Sequence, residues 1–430
     1  MVADALGCTT DDTITVTDDV VVTGVIEGAG GSDTIEVTGN ASVNGGVFGA
    51  GEGQDVSAAA DTGDVITINT TGTVLGVWGG DDGDASDGVT GDVITWTAGI
   101  ISDGIYGGNG SDQAFVTATD YDGTQVLDGG DDVLVADGMI DTLTLQGVTV
   151  SAPGANVLNW ENVVIDGGSV KFSDQALTTG SEAGTGLSII NGGTLDASGG
   201  GLALTGNMSN SGIVTTQDGI VGDVINVSGN YTGTGAFNID VELGDSSSPT
   251  DMMVVAGDTS GTTTINVVNV GGVGAATGTG PTDGIQIVQV GGVSDPNAFV
   301  LGGTVTIGAF VYDLAQADGQ NWYLQSTENS LQGQIFGYSA LQAAMGDDLD
   351  TLWQRVGQRE RLLNADGSLS AAGTKVKTEL NRTRVEGRLG ANLSGDDDNW
   401  TFYTEAGVAI AITGKEYTSF KGIAGARWNF

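Results

Sequence analysis

Apolar and polar residues alternate along much of the first 220 residues, and the alternation recurs in four similar segments. Each segment opens with Asp and then places an apolar side chain at every second position, as a strand with one buried face does. The segments are DTITV from residue 12, DTIEV from 33, DVITI from 64 and DVITW from 92. The pattern predicts that the pairs at these positions point to one side of successive strands: Ile14/Val16, Ile35/Val37, Ile66/Ile68 and Ile94/Trp96.

About thirteen residues after each opening Asp, an apolar pair meets a glycine, in VIEG at 25–28, VFGA at 47–50, VWGG at 77–80 and IYGG at 105–108. The starts are 21, 31 and 28 residues apart. A repeat of this length with short strands predicts the coils of a right-handed parallel β-helix, with a propeller as the second choice. Phe48, Trp78 and Tyr106 share one repeat position, which predicts an aromatic stack along the solenoid or, alternatively, an exposed adhesive ladder.

The pattern changes twice further along the chain. Strands lengthen over 221–330, which indicates a cap that protects the last coil. Apolar residues then recur at three- and four-residue spacings from Tyr338 to Val356, which predicts a helix within 331–364. Alternating strands return over 365–430, as in a partial outer-membrane β-barrel or a half-exposed soluble sheet. The predicted domains are therefore 1–220, 221–330, 331–364 and 365–430.

Composition removes several classes of function. The chain has 75 Gly and 4 Pro, which favours short strands joined by glycine turns. Its net charge of −43 opposes binding to nucleic acid. It has no His, which excludes Ser-His-Asp nucleophiles and His-ligated zinc, and Cys8 alone forms no intrachain disulfide. Lys171 is the only basic residue before Arg355, so the first 354 residues and the remainder differ sharply in charge.

Two kinds of site deserve a test against the structure. GGNGSDQAF at 107–115 and GAGGSDTIE at 28–36 partly match a calcium-binding nonapeptide, but the matches are isolated and glycine corners are favoured. The second kind of site is the carboxylate pair of a glycosidase. Trp78, Trp96, Tyr106 and Tyr121 could then provide aromatic platforms for a sugar. Dense clusters of acidic residues instead favour solvated loops. The carboxylates in question are Asp81, Asp82, Asp84, Asp87, Asp131 and Asp132. We expect no catalytic, cofactor-binding or metal-binding residues.

The segment GDVINVSGNYTGTGAFNIDVELGDSSSPTDMMVVAGDTSGTTTINVVNVGG at 222–272 resembles the pertactin-like end of the passenger in monomeric autotransporters of Gram-negative bacteria. The terminal GIAGARWNF is similar to the barrel-assembly signal of that family, which gives this role to Trp428 and Phe430. Residues 365–430 hold too few strands for a closed barrel, so the β-domain looks shortened.

The resemblance implies a different role for each part of the chain. The solenoid is displayed at the cell surface for adhesion or surface structure, and 221–330 acts as an autochaperone-like cap. The helix and barrel strands engage the outer membrane and its barrel-assembly machinery, and no cofactor is implied. We expect that the protein is not an enzyme; the alternative is a secreted carbohydrate-active β-helix enzyme that uses paired carboxylates.

Overall fold

Parallel strands stacked coil on coil make up most of the described chain. The structure, a computed structural model, describes residues 1–8, 10–50, 63–80 and 91–328 in full, and beyond these the backbone of four strands. The chain divides into two compact units, Met1–Gly333 and Gln334–Phe430. Among the described residues, no helix has the length and apolar character that crossing a membrane requires.

Four sheets run along the first unit. Sheet A follows the coils in the path Thr13–Val16, Thr34–Gly39, Val65–Val74, Val93–Ile101, Gln113–Val116, Thr142–Gln146, Asn162–Asp166, Gly186–Ile190, Met208–Asn210, Tyr231–Gly233 and Thr259–Gly261, with the corner strands Val21–Val22 and Ser42–Val43 beside it. Sheet B comprises Ala5–Leu6, Ile26–Ala29, Val47–Ala50, Val77–Trp78, Gly104–Tyr106, Val126–Asp128 and Val157–Leu158.

Sheets C and D belong to the later coils. Sheet C comprises Thr149–Ala152, Ser169–Phe172, Thr194–Asp196, Ile213–Thr215, Ala236–Val241, Thr263–Asn269 and Phe299–Leu301. Sheet D comprises Ala176–Thr178, Gly201–Thr205, Val224–Val227, Met252–Val255, Ile285–Val290, Trp322–Glu328, Phe310–Ala315 and Val305–Ile307. Between residues 162 and 290, each coil supplies one strand to A, then C, then D. Two single-turn 3₁₀ helices, Val135–Asp137 and Gly154–Asn156, interrupt the strands.

The inward positions of sheet A form continuous apolar columns, as the alternation predicts. Ile35 is aligned with Ile66, and Ile66 with Ile94 on the next coil. All three side chains are at most 1% exposed. A coil buries its inward residues only when its neighbours cover them, so the columns extend through the stack as one core. The predicted apolar pairs are therefore confirmed, and the described chain is all-β with parallel sheets, as in a β-helix.

Sheet B corrects the sequence alignment of the first copy by one residue. Ile26, rather than Val25, is aligned with Val47. Glu27 consequently occupies the position that Phe48 takes on the next coil. The three later copies keep the predicted alignment, which places Phe48, Trp78 and Tyr106 on adjacent strands. Ile26 and Val47 both lie 14 residues after the opening Asp of their copy, so the pairing follows this spacing and not the start of the apolar pair.

The stack ends in antiparallel pairing. Trp322–Glu328 pairs antiparallel with Ile285–Val290, which is the last parallel strand of sheet D. Phe310–Ala315 then pairs with Trp322–Glu328, and Val305–Ile307 pairs with Phe310–Ala315. We call residues 285–328 the closing segment. Because its strands pair with one another, the last parallel strand of sheet D does not present an open row of backbone groups.

The second unit contains a sheet of four antiparallel strands paired in chain order. Its strands are Thr374–Glu379, Arg382–Ser394, Trp400–Ala411 and Thr418–Trp428. The helix predicted over 331–364 lies outside the described residues.

A row of glycines allows neighbouring coils to approach closely between sheets B and A. A Cβ atom on Gly28, Gly49, Gly79 or Gly107 would lie less than 3.0 Å from the glycine carbonyl of the next coil. The same Cβ would lie less than 3.0 Å from the Asp side chain that opens the next sheet A strand of its own coil. These positions therefore require glycine because of space, which explains the glycine that follows each apolar pair in the sequence.

This close approach makes the glycine row a sensitive site for mutation. We expect Gly79→Ala to lower the free energy of unfolding by about 1–3 kcal/mol, because the added methyl overlaps Asp92 and the carbonyl of Gly107. Gly303→Ala is the matched control, since no atom lies within 4 Å of the Cβ it would add and the change should stay within about 0.5 kcal/mol. Urea unfolding of both variants measures the difference, and equal midpoints would contradict the assignment.

Candidate functional site

A line of carboxyl groups connects successive coils at the corner where sheet A begins. At the first six strands of the sheet A path, the residue before the strand donates its backbone N–H to the carboxyl side chain of its counterpart on the next coil, at 2.6–2.7 Å. We call this set the carboxyl ladder; its members are Asp12, Asp33, Asp64, Asp92, Asp112, Asp141 and Glu161. Six of the seven are at most 3% exposed, so the ladder is part of the interior. It satisfies a buried N–H at the start of each strand, where the sheet itself supplies no acceptor.

The second carboxyl oxygens of several ladder members are buried without a donor. Among the described residues, Asp33 Oδ2, Asp141 Oδ2 and Glu161 Oε1 have no hydrogen-bond partner. Burial raises the pKa of Asp33 and of Glu161, and it raises the pKa of Asp141 to about 9. The charges of Asp12 and Asp11 add to the effect on Asp33. The Asp141 carboxyl therefore binds a proton at neutral pH, and the ladder is less negative than its composition suggests.

The sequence stretches that resemble calcium motifs contribute to this ladder. Asp112 of GGNGSDQAF accepts the N–H of Asp92, and Asp33 of GAGGSDTIE accepts that of Asp12. Gly108 and Gly110 have φ values of 101° and 138°, which places the turn of the first stretch in the left-handed region that favours glycine. The interpretation of both stretches as coil corners is confirmed. Their Asp residues accept hydrogen bonds in the ladder. The repeat pattern predicts an Asp at the start of each segment but does not predict this role.

The aromatic residues predicted at one repeat position do stack. Phe48 and Trp78 have ring centroids 4.6 Å apart at 10°, and Trp78 and Tyr106 have centroids 5.2 Å apart at 6°. The row of sheet B that carries them continues to Glu27 on one side and to Asp128 on the other. Each of the three rings is half-buried. The rings face one another, so the stack presents ring edges to solvent rather than a flat platform.

The other proposed platforms lie inside the solenoid. Trp96 is fully buried and meets Tyr121 edge-on at 5.8 Å. Its indole N–H donates to the carbonyl of Gly99 at 2.9 Å. Neither ring is available to a sugar on the surface. Of the candidate carboxylates, residues 81–87 lie outside the described residues, whereas Asp131 and Asp132 lie close to Asp137, which the sequence analysis did not select.

One buried carboxylate organises the later coils. Asp251 accepts hydrogen bonds from the backbone N–H groups of Gly222, Asp223 and Asp240 and from the hydroxyl of Thr216, at 2.7–3.0 Å. It is 0% exposed. A single carboxylate thus ties Asp240 of its own coil to residues 216–223 of the preceding coil. Such a charge is stable in the interior because four donors surround it.

Aromatic side chains and polar pairs fix the closing segment to the coils below it. The rings of Tyr231 and Phe299 stack with centroids 5.8 Å apart, and Trp322 meets Phe299 edge-on at 5.4 Å. Thr277 and Ser326 exchange hydrogen bonds, with each backbone N–H donating to the other's hydroxyl at 2.8–2.9 Å. The closing segment is therefore packed and hydrogen-bonded to the stack rather than merely adjacent to it.

Comparison with known proteins identifies a family model that matches the last coils and most of the closing segment. Residues 221–314 match the model of the autochaperone domain type 1. The chain is 34% identical over 230 residues to the probable autotransporter YfaL of Escherichia coli, which covers 51% of this chain and 17% of that protein. These matches support an autotransporter passenger.

Two further relatives are similar to shorter parts of the chain. An uncharacterized protein of Escherichia coli, YdeU, is 45% identical over 117 residues, which is 26% of this chain and 24% of that protein. The adhesin BmaC autotransporter of Brucella suis is 41% identical over 133 residues, which is 27% of this chain and 4% of that protein. The chain thus spans about a quarter or less of the length of these curated relatives.

The predicted barrel-assembly signal is not tested by the structure. Trp428 ends the last strand of the second unit, and Phe430 lies outside the described residues. The role of these two residues stays a prediction.

The ladder predicts opposite results for two substitutions of one residue. Asp33→Ala removes the acceptor of the Asp12 N–H and should cost about 1–3 kcal/mol of unfolding free energy. Asp33→Asn keeps an acceptor oxygen and replaces the unpartnered Oδ2 by an N–H donor, so it should be neutral or stabilising at neutral pH. Chemical denaturation of the two variants beside the wild type measures this. A loss for Asp33→Asn as large as for Asp33→Ala would show that the ladder requires a charge.

The same carboxyl also predicts an unusual pH dependence. Because burial raises the pKa of Asp33 in the folded chain, its contribution to stability is complete below the unfolded pKa of about 4. That contribution is lost as the pH rises through the folded pKa. We therefore expect the melting temperature to fall as the pH rises above about 4, and to fall less for Asp33→Asn. Identical slopes for both proteins would contradict the shift at this residue.

Proposed function

We propose that residues 1–330 form the passenger of an autotransporter, displayed on the outer face of the outer membrane. The observation that supports this most strongly is the position of the segment that matches the autochaperone model. Residues 221–314 form the last coils of the same parallel stack as the repeats before them. The solenoid and the matched segment share sheets A, C and D, so they form one continuous core.

Within that passenger, we assign residues 1–220 to the displayed solenoid and 221–330 to a cap that promotes folding. A coil at the end of a growing stack has no neighbour to cover its apolar residues or pair with its backbone. The closing segment and Asp251 supply both kinds of contact from within the chain. A segment with these contacts can order before the coils preceding it, and then serve as their template.

The remaining predictions from the sequence follow from the resemblance to autotransporters and belong to the same proposal. They are the right-handed coil, a linker helix over 331–364, outer-membrane strands over 365–430, and Trp428 and Phe430 as the signal for the barrel-assembly machinery. The partners would then be the outer membrane and that machinery, through type V secretion.

Adhesion or surface structure is the proposed role of the displayed part. The relative BmaC is named as an adhesin. A carbohydrate-active enzyme receives no support from the described residues, because Trp96 and Tyr121 are buried and the rings of Trp78 and Tyr106 face each other. A screen of polysaccharides for depolymerisation tests this alternative directly.

Surface display is tested on intact cells that express the chain from its native reading frame. An antibody against the solenoid should label unpermeabilised cells, and added protease should leave a resistant solenoid. We expect Asp251→Ala to reduce the resistant fraction severalfold, because it removes the acceptor of four buried donors.

The matched control is Asp245→Asn, which changes an exposed carboxylate of the same region. Its hydrogen bonds from the N–H and hydroxyl of Ser247 are local, so labelling and protease resistance should equal those of the wild type. Recovery of the wild-type chain solely inside the cell would overturn the proposal of display. Equal resistance of Asp251→Ala and the wild type would overturn the role of the cap while leaving display intact.

A further inference from the structure

Two Asn–Gly steps of the solenoid share the local sequence Asn-Gly-Gly, at Asn44–Gly45 and at Asn191–Gly192. Both Asn residues are exposed. The sequence contains a third Asn–Gly step, Asn109–Gly110, whose glycine is buried. In an Asn–Gly step the backbone nitrogen of glycine can attack the side-chain amide carbon of Asn, because glycine has no Cβ to obstruct the approach. The surroundings of the glycine nitrogen therefore decide which of two identical local sequences can react.

The backbone nitrogen of Gly45 is held inside the stack of coils. Its N–H donates to the carbonyl of Gly24 on the preceding coil at 2.8 Å. The two backbones are so close that a Cβ on Gly45 would lie less than 3.0 Å from that carbonyl oxygen. The N–H of Asn44 is also bonded to the preceding coil, to the carbonyl of Val22 at 3.0 Å. The nitrogen of Gly45 therefore cannot turn toward the Asn44 side chain unless an inter-coil hydrogen bond opens.

The backbone nitrogen of Gly192, by contrast, lies in an exposed turn. Gly193 closes this turn by donating its N–H to the carbonyl of Ile190 at 2.8 Å. The φ values of Asn191 and Gly192 are 51° and 77°, as in the type I′ turn that Asn-Gly favours. Apart from its chain neighbours, no atom lies within 4 Å of the Cβ that Gly192 would carry. Its N–H has no hydrogen-bond partner among the described residues, so neither the coil nor its neighbours restrain this nitrogen.

The side-chain amide of Asn191 belongs to a polar row that crosses three coils. Asn191 Nδ2 donates to Asp166 Oδ1 at 2.6 Å, and Gln146 Nε2 donates to Asp166 Oδ2 at 2.8 Å. The three residues lie at the ends of successive sheet A strands. The bond to Asp166 engages Nδ2 and leaves the amide carbon of Asn191 open to attack. Loss of Nδ2 would remove a donor from the Asp166 carboxylate and place a second carboxylate against it.

We propose that Asn191 is a site of spontaneous deamidation, whereas the coil protects Asn44 in the same local sequence. The backbone nitrogen of Gly192 gives its proton to water and forms a bond to Cγ of Asn191, and the bond from Cγ to Nδ2 breaks. Nδ2 takes up a proton from water and leaves as ammonia, so the step needs no oxidant or reductant. Water then opens the five-membered imide at either of its two carbonyl carbons, which gives aspartate or isoaspartate at position 191.

Either product weakens the polar row. An aspartate at position 191 repels the Asp166 carboxylate, since like charges on adjacent strands are unfavourable. It also leaves Asp166 Oδ1 without the donor that Asn191 supplies. Isoaspartate adds one atom to the main chain of a turn that the Gly193 N–H closes. The modification therefore loosens the stack at this turn as the protein ages, without an enzyme.

Peptide mapping by mass spectrometry of the full chain, incubated in mildly alkaline buffer, measures both steps in one sample. We expect deamidation at Asn191 to be at least about ten-fold faster than at Asn44, because Asn44 reacts only after an inter-coil hydrogen bond opens. In concentrated urea the two rates should converge, since the local sequences are identical. Equal rates in the folded chain would overturn the proposal. Reaction at Asn191 only in urea would also overturn it.

Asn191→Asp tests the consequence separately, because it makes one product directly. We expect this variant to melt roughly 1–3 °C below the wild type at neutral pH, since it loses a hydrogen bond and gains a repulsion. Asn44→Asp is the matched control. It adds the same charge at an exposed residue whose side chain has no hydrogen-bond partner among the described residues, so its melting temperature should equal that of the wild type. Equal melting of Asn191→Asp and the wild type would overturn the effect on the row.

Discussion

Each coil of this solenoid depends on the next one to complete its hydrogen bonding, and at one corner a carboxyl side chain of the next coil supplies the acceptor. The N–H that precedes each early sheet A strand has its acceptor on the neighbouring coil, in the carboxyl group of the residue at the same repeat position. The geometry is possible because the coils approach closely at the glycine row beside it. Strand register, the inward columns and the aromatic stack all follow from this alignment, since a displaced coil would break a buried hydrogen bond at each step.

The end of the stack uses the same chemistry in a different arrangement. The ladder gives one carboxyl oxygen to one N–H per coil, whereas Asp251 serves four donors at once. A carboxylate with four donors is well solvated by the protein, so this interaction is strong and local. That difference fits a segment which orders on its own contacts, followed by coils that each need a neighbour already in place. The antiparallel strands of the closing segment then remove the open edge.

The sequence predicted the features that depend on periodicity and left out those that depend on the third dimension. The inward pairs from Ile35 to Trp96 followed from the alternation, and the aromatic stack followed from the repeat position. The first corner was misaligned by one residue, because Val25 and Ile26 are equally apolar and only the strand pairing distinguishes them. Asp33 was recognised as an opening residue, but its burial was missed since Asp at a strand end normally indicates a solvated turn. The position of Asp137 close to Asp131 depends on the turn at Gly138. The spacing of residues in the sequence does not predict that turn.

Charge is the constraint that a row of buried carboxyl groups has to satisfy. A chain with a net charge of −43 gains solubility from repulsion at its surface, but the same repulsion opposes a row of buried carboxylates. At Asp141, where burial raises the pKa of the carboxyl to about 9, a proton neutralises the group without adding an atom to the coil. Protonation thus removes part of the ladder's charge in a chain that has Lys171 as the only basic residue before Arg355.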